Sequence, residues 1–188
     1  MAATLSARLP GERWFSGKAR SVARVRPLDW AGLPGSAATL ALFEVTGEAG
    51  DTERYFVPLR DADPGAEALD DAGVCAAIVE AMRTGAEVPG ARGVFRFAST
   101  AVLPEILPVA PTTTRSTGAE QSNTSRVLGE RAMLKVIRRT ETGMNPELEL
   151  TRFLTAETQF REAPRLAGSL VWEGEAGPLT LATLHELV

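Results

Sequence analysis

Alternating hydrophobic and polar residues predict several strands in the first hundred residues. Residues 22–30 alternate apolar and basic side chains, which is typical of a strand with one face in water. Residues 37–47 and 53–59 form two further strand-like runs, and the glycines and the aspartate between them predict a hairpin turn. Residues 93–99 alternate again, and we expect this strand to return to the same sheet.

One helix is predicted among these strands. Residues 69–85 place Val74, Ile78 and Met82 at helical spacing, and Gly85 is well suited to end the helix. Strands and one packed helix together predict a small α+β unit built on antiparallel strands.

The remaining sequence predicts a connector and a second unit. Residues 101–114 are rich in proline, which favours a partly extended connector. Residues 115–188 then read as strand, strand, helix, strand, strand. The first hairpin turns at residues 129–131, and the second turns at residues 174–177. Asn145 precedes the helix as a suitable N-cap.

Composition narrows the classes of protein. The 188 residues carry a formal net charge of −4, which gives no support for a nucleic-acid partner. The single cysteine, Cys75, excludes an intrachain disulfide framework and lies in an apolar run that predicts a buried thiol. The chain contains no apolar run of membrane-spanning length, about 18 residues. We therefore expect a soluble cytoplasmic protein without a membrane partner.

Four segments, taken with this order of elements, resemble bacterial maltokinase. They are "RWFSGKAR" at 13–20, "EQSNTS" at 120–125, "MLKVIRRTETGMNPELELTRFLT" at 133–155 and "LAGSLVWEG" at 166–174. This family belongs with the aminoglycoside-phosphotransferase-like kinases, which share the protein-kinase-like fold. The resemblance implies an ATP-dependent sugar kinase that converts ATP and maltose to maltose 1-phosphate and ADP in trehalose and glycogen metabolism.

The resemblance also implies a division of the chain. Residues 1–100 would be an N-terminal cap subdomain, residues 101–114 a connector, and residues 115–188 a kinase-like N-lobe ending at the hinge. The family continues into a helical C-lobe that holds the sugar site, the catalytic aspartate and the magnesium ligands. No catalytic residue or metal ligand is therefore expected in this chain. ATP and Mg²⁺ would be cofactors of the intact enzyme and would not bind this chain tightly.

The resemblance implies partners as well. They are the C-lobe of the same kinase and trehalose synthase, to which the family also occurs fused. Because the sequence stops within a strand-like segment, we expect it to be a piece of a longer protein. A related aminosugar or aminoglycoside-type kinase remains an alternative. So does a non-catalytic cap and N-lobe module that binds trehalose synthase or another protein.

Lys135 is the leading candidate for a phosphate contact. A strand lysine by itself more often points to solvent, but the resemblance places Lys135 where a kinase lysine contacts the α- and β-phosphates of ATP. A carboxylate on the following helix should hold this lysine. Glu147 and Glu149 both flank the helix side marked by Leu150 and Phe153, so the residues alone do not choose between them. The family pattern selects Glu149, which leaves Glu147 as a partner of the helix dipole.

The other candidate residues lie in a turn and at the hinge. The resemblance places the phosphate-covering turn at Ser122, Asn123, Thr124 and Ser125, although a plain polar hairpin turn is an alternative. It also assigns adenine contacts to the backbone of Glu186 and Val188. The lone histidine, His185, is expected to be structural. Arg138 and Arg139 follow the lysine strand and are expected to be solvated charges at its end.

Overall fold

The computed structural model describes residues 5–7, 9–12, 14–15, 22–63, 66–118, 123–157, 160, 162–175 and 177–188. Ser122 and most of the segment 13–20 lie outside these residues, so the expectations placed on them are not addressed by the structure. The strands are β1 (Val22–Gly32), β2 (Ala38–Gly47), β3 (Thr52–Phe56), β4 (Leu59–Arg60), β5 (Glu87–Pro89), β6 (Gly93–Ser99), β7 (Thr114–Ser116), β8 (Asn123–Leu128), β9 (Ala132–Ile137), β10 (Arg139–Thr140), β11 (Leu166–Gly174) and β12 (Gly177–Glu186). The helices are α1 (Ala72–Thr84), α2 (Val102–Ile106) and α3 (Pro146–Glu157).

Within the described residues, the strands form two antiparallel sheets. The first sheet has the order β1-β2-β3-β10, with β4 also paired to β2. The second has the order β5-β6-β11-β12-β9-β8-β7. The α+β architecture with antiparallel sheets is therefore confirmed. The three predicted hairpins, β2–β3, β8–β9 and β11–β12, also form.

Strand β6 forms where expected, but it belongs to the other sheet. It pairs with β11, so the prediction that residues 93–99 return to the first sheet is wrong. Gly93 lies opposite Gly174 in this pairing. A Cβ atom at Gly93 would approach the ring of Trp172 to 2.6 Å, and one at Gly174 would approach it to 2.2 Å. The pairing of β6 with β11 thus depends on two glycines that leave room for one tryptophan.

The two halves of the chain exchange strands. Strands β5 and β6, from the first half, extend the second sheet, whereas β10, from the second half, extends the first sheet at β3. The two sheets therefore do not correspond to two consecutive parts of the chain. The predicted connector is not simply extended, because it contains helix α2 and leads into β7 at Thr114.

Helix α1 forms within the predicted range and ends at Gly85 as predicted, whereas its N-cap, Asp71, was not predicted. The Asp71 carboxylate accepts a hydrogen bond from the Gly73 amide at 2.8 Å, and Gly85 ends the helix in the left-handed conformation with φ of 62°. Its buried side chains pack on β6 and β11 and join a core that also includes residues of β1, β2 and β3. One hydrophobic core therefore extends from the first sheet to the second.

Helix α3 begins as predicted but faces the sheet differently. The Asn145 side chain accepts a hydrogen bond from the Glu147 amide at 2.9 Å, which confirms the N-cap. Of the described residues in this helix, Leu148 is the buried one. Leu150 and Phe153, which the sequence suggested as the apolar side, are 58% and 57% exposed. The helix is therefore turned so that Leu148 packs on the sheet.

Candidate functional site

Lys135 lies in the middle of β9, between its two neighbouring strands. It is opposite Ser125 on β8 and Thr183 on β12. Its side chain is 21% exposed, and Nζ lies 2.6 Å from Oε2 of Glu147 on α3. The expectation that a helix carboxylate holds the strand lysine is met, so Lys135 is not a freely solvated surface residue.

The identity of that carboxylate differs from the prediction. Glu147 forms the ion pair with Lys135, so the assignment of Glu149 as the lysine partner is wrong. The reason is the rotation of α3. Successive helical residues are about 100° apart, since a turn takes 3.6 residues, so the two glutamates lie equally far on either side of the buried Leu148. Thr151 is half-buried and lies about 60° from Leu148 on the side of Glu147, so the covered side of the helix is centred towards Glu147.

The β8 side of the hairpin is more buried than a phosphate-covering turn suggests. Asn123 is half-buried, whereas Thr124 and Ser125 are buried. The Thr124 hydroxyl accepts a hydrogen bond from Nε of Arg138 at 2.8 Å. Among the predicted turn residues within the described part of the chain, Asn123 is thus the most accessible. The phosphate contacts of all these residues stay predictions.

Arg138 is the largest departure from expectation. Its side chain is fully buried, so the prediction of a solvated strand-end charge is wrong for Arg138. Nη2 donates to Oε2 of Glu67 at 2.7 Å, and the guanidinium carbon lies 5.0 Å from the centre of the Trp14 ring. Its neighbour Arg139 is 42% exposed and fits the expected description.

A signal in the sequence could have identified the buried arginine. Leu134, Val136 and Arg138 alternate along one face of β9 and its extension, and all three are fully buried. Lys135 and Arg139 alternate on the opposite face. Because side chains alternate between the two faces of a strand, Arg138 falls on the buried face and Arg139 on the other. The alternation of residues indicates this difference, whereas composition does not.

A second arginine reaches the same part of the first half of the chain. Arg126, on β8, donates from Nη2 to Oδ1 of Asp70 at 2.6 Å and from Nε to the carbonyl of Leu69 at 3.2 Å. Arg126 is buried. The segment from Glu67 to Asp70 is thus held by two buried arginines, Arg126 on β8 and Arg138 between β9 and β10.

A buried carboxylate joins the two sheets elsewhere. Asp29, on β1, is fully buried and accepts hydrogen bonds from the indole Nε1 of Trp172 at 2.8 Å and from the Ala91 amide at 2.6 Å. A Cβ atom at Gly90 would lie 2.4 Å from this carboxylate, so the backbone approaches it closely. Neither Asp29 nor its partners carried a signal in the sequence, because residues 29 and 172 are distant along the chain.

Two cavities lie on the two sides of the hairpin strand β8. One, of about 560 Å³, is lined by Asn123, Ile137, Arg139 and the start of α3, and so opens on the same side of β9 as Lys135. The other, of about 260 Å³, lies between Trp14, Glu67 and Asp70 on one wall and residues 123–126 on the other. The first is the better candidate for a ligand of Lys135, because its lining includes Ile137, two residues further along the same strand face.

The predicted hinge lies at the end of β12. The Glu186 carboxylate accepts hydrogen bonds from Arg165 at 2.8 and 3.2 Å, and Val188 is 93% exposed. Their adenine contacts stay predictions. His185 is buried, and burial lowers its pKa, with the charge of Glu147 acting in the opposite direction. A neutral, buried imidazole fits the structural role expected of it.

No helix in the described part of the chain is long and apolar enough to cross a membrane. Across the same residues, no three or more histidine, cysteine, aspartate or glutamate side chains gather into a possible metal site.

Comparisons with known proteins agree with this architecture. Residues 9–86 match the family described as the maltokinase N-terminal cap domain, and the match ends where β5 begins at Glu87. A solved structure of glucosamine kinase in complex with glucosamine, ADP and inorganic phosphate superposes with a TM-score of 0.66 at 19% identity. That alignment covers 100% of this chain and 40% of the other.

A second glucosamine kinase structure, crystal form A, gives a TM-score of 0.62 at 20% identity and covers 88% of this chain and 35% of its own. The chain thus spans well under half the length of the kinases it resembles. The chain therefore shares the fold of the matched part of these solved structures. Residues 9–86, which are less than half of the chain, match the maltokinase N-terminal cap domain.

Proposed function

We propose that this chain is the cap and N-lobe of an ATP-dependent maltokinase, which transfers the γ-phosphoryl group of ATP to maltose and releases maltose 1-phosphate and ADP. The observation that carries the proposal is the Lys135–Glu147 ion pair at 2.6 Å, on a strand and a helix of a kinase-like lobe behind a maltokinase cap. Phosphoryl transfer depends mainly on positioning and charge neutralisation, which a held lysine supplies.

The residues present suit the phosphate end of a nucleotide. Lys135 brings a partly buried cation whose direction is set by Glu147. Asn123 and Asn145, which line the neighbouring cavity, bring amide groups that can donate to oxygens. A divalent cation bound with ATP would supply further charge neutralisation. We expect its ligands in the part of the enzyme that follows this chain.

Two sugars are candidates for the phosphoryl acceptor. The cap match favours maltose, whereas the solved structures that resemble this chain are glucosamine kinases, which favours an aminosugar acceptor as the second candidate. With either sugar as acceptor, the N-lobe would bind ATP through the same residues. Steady-state assays of the full-length enzyme with each sugar as phosphoryl acceptor would distinguish them.

The proposal predicts a ranking of variants in the full-length enzyme. Lys135→Ala should lower kcat/KM for ATP far more than Arg131→Ala, because Lys135 meets charge in a partly dry site, where each contact is stronger than in water. Arg131 is the control because it is an exposed cation in the turn of the same hairpin and does not line the cavity. Glu147→Gln should cost less than Lys135→Ala but more than Glu149→Gln, since it loosens the lysine without removing the cation.

Two outcomes with these variants would contradict parts of the proposal. If Lys135→Ala remains folded and keeps near-normal ATP kinetics, the chain does not use this lysine for phosphate and the kinase proposal fails. If Glu149→Gln is the more damaging carboxylate variant, the lysine has another partner in the working enzyme. The 188-residue chain alone serves as the negative control, and we expect it to show no maltose-dependent ADP formation.

A further inference from the structure

Arg138 joins three separate parts of the molecule through one side chain. Nε donates to the hydroxyl of Thr124 on β8, Nη2 donates to the carboxylate of Glu67, and the guanidinium lies against the Trp14 ring. Glu67 and Trp14 belong to the cap match at residues 9–86, whereas Thr124 belongs to the β8–β9 hairpin. The contact is therefore a link between the cap and the hairpin.

The chemistry of arginine makes this link rigid. A guanidinium is planar, stays charged and presents its N–H groups in a fixed fork, so binding Thr124 and Glu67 through different nitrogens fixes their relative orientation. The Arg138 side chain is fully buried. Losing either partner in a buried site leaves a charged group incompletely satisfied, which costs more than losing an exposed contact.

Backbone contacts on both sides of Arg138 connect this link to the first sheet and to the β8–β9 hairpin. The Arg138 carbonyl accepts a hydrogen bond from the Phe56 amide of β3, and the next residues form β10 on that sheet. Lys135 lies three residues before Arg138 on the same continuous segment and is paired in register with Ser125, next to Thr124. A shift of the cap at Glu67 would thus be transmitted through Arg138 to the strand facing Lys135.

We propose that Arg138 is a positioning residue through which the cap sets the placement of the β8–β9 hairpin. The coupling itself rests on the contacts above. Its consequence for nucleotide phosphates rests on the proposed function. The cap is then a fixed support of the hairpin. It is connected to β8 through Glu67, Arg138 and Thr124, and in parallel through the ion pair of Arg126 with Asp70.

The coupling is tested in the 188-residue chain by hydrogen exchange at the amides of residues 123–128. Glu67→Gln, a change in the cap, should accelerate exchange in this segment by about tenfold, since it weakens a hydrogen bond to a buried charge. In an Arg138→Met background, the same Glu67→Gln change should have a much smaller effect, because the link is already absent and a glutamine oxygen can still accept from the Leu69 amide. The β11–β12 hairpin, residues 166–186, is the internal reference for global unfolding.

A matched pair of variants at Thr124 keeps the test decisive if Arg138→Met does not fold. Thr124→Val removes the hydroxyl that accepts from Arg138, whereas Thr124→Ser retains it. We expect fast exchange in residues 123–128 for the valine variant and near-normal exchange for the serine variant. Three results would each overturn the proposal. They are equal exchange rates in the two Thr124 variants, additive effects of the Glu67 and Arg138 changes, and equal acceleration of exchange in residues 166–186.

A second measurement separates this inference from the proposed function. In the full-length enzyme, Arg138→Lys should raise KM for ATP several-fold while KM for the acceptor stays near the parent value. If Lys135→Ala abolishes ATP use but Arg138→Lys leaves KM for ATP unchanged, the positioning role is wrong and the kinase proposal stands. If Lys135→Ala has no effect and the exchange data still show coupling, the link is real and the kinase proposal is wrong.

Discussion

Buried polar side chains determine much of the character of this protein at the scale of single residues. Arg138 and Asp29 are both fully buried, and each bonds to side chains from distant parts of the chain, while Nη1 of Arg138 has no hydrogen-bond partner among the described residues. Isolated buried charges are costly, so such groups persist where partners are held in place around them. Lys135 is the contrasting case, because it is partly exposed and has one ion-pair partner in the described residues, Glu147.

Cys75 provides a prediction at this scale. Its thiol is fully buried, and burial raises its pKa from an ordinary value of 9.0 to about 11. The unfolded chain then loses this proton at a lower pH than the folded one does. The free energy of unfolding should therefore fall as the pH rises from about 9 to 11, by about 3 kcal/mol in all.

The measurement is urea unfolding at a series of pH values for the parent chain and for Cys75→Ala. Because lysine and tyrosine titrate in the same range, the difference between the two proteins isolates the thiol. The gap in stability that favours the parent at pH 8 should narrow towards pH 11. A constant gap across this range would show that Cys75 ionises equally easily in both states.

At the scale of elements, close approaches of glycine backbone decide which strands pair. Gly93 and Gly174 face each other across β6 and β11, and both lie against the indole of Trp172. That indole in turn donates to Asp29 of β1. Trp172 therefore takes part both in the pairing of β6 with β11 and in the contact between the two sheets.

Gly93→Ala tests this join. The added Cβ would lie 2.5 Å from the Glu173 carbonyl oxygen, which is backbone and cannot move freely. We expect a loss of about 1–3 kcal/mol in the free energy of unfolding, as for other overpacked sites. Gly32→Ala is the matched control, because nothing lies within 4 Å of its added Cβ. Thermal and urea melts of the two variants should differ clearly, and similar melts would mean that β6 is not held as tightly as described.

At the scale of the whole molecule, the cap and the second sheet are parts of one structure. The largest hydrophobic cluster contains Leu40 and Phe56 of the first sheet together with Leu134 and Leu170 of the second. The exchange of β10 and of β5–β6 between the sheets adds backbone pairing to this shared core. Such an arrangement favours a cap that moves with the lobe.

A single unfolding transition is the corresponding prediction. Residues of both sheets share one core, so neither sheet can lose its packing without exposing the other. Urea unfolding followed by tryptophan fluorescence, which reports on Trp172 among others, should coincide with unfolding followed by far-ultraviolet circular dichroism. Two separated transitions, or an early loss of exchange protection confined to residues 22–60, would contradict this picture.

The sequence alone determined the features that depend on neighbouring residues. Alternation predicted the longer strands, although not the short strands β4, β5, β7 and β10. The signals at Gly85 and Asn145 agree with how α1 ends and α3 begins. The motifs also led to the maltokinase cap that the family match supports. Each of these features follows from interactions spanning a few residues, which a local pattern records.

Only the tertiary structure decided which distant elements meet and how they are turned. It placed β6 beside β11, buried Arg138 against Glu67, and rotated α3 so that Glu147, rather than Glu149, reaches Lys135. The two glutamates are equivalent in local pattern, since both lie in the first turn beside apolar residues. The burial of Leu148 together with the half-buried Thr151 distinguishes them, because the orientation of a helix is set by the surface it covers and not by its own sequence.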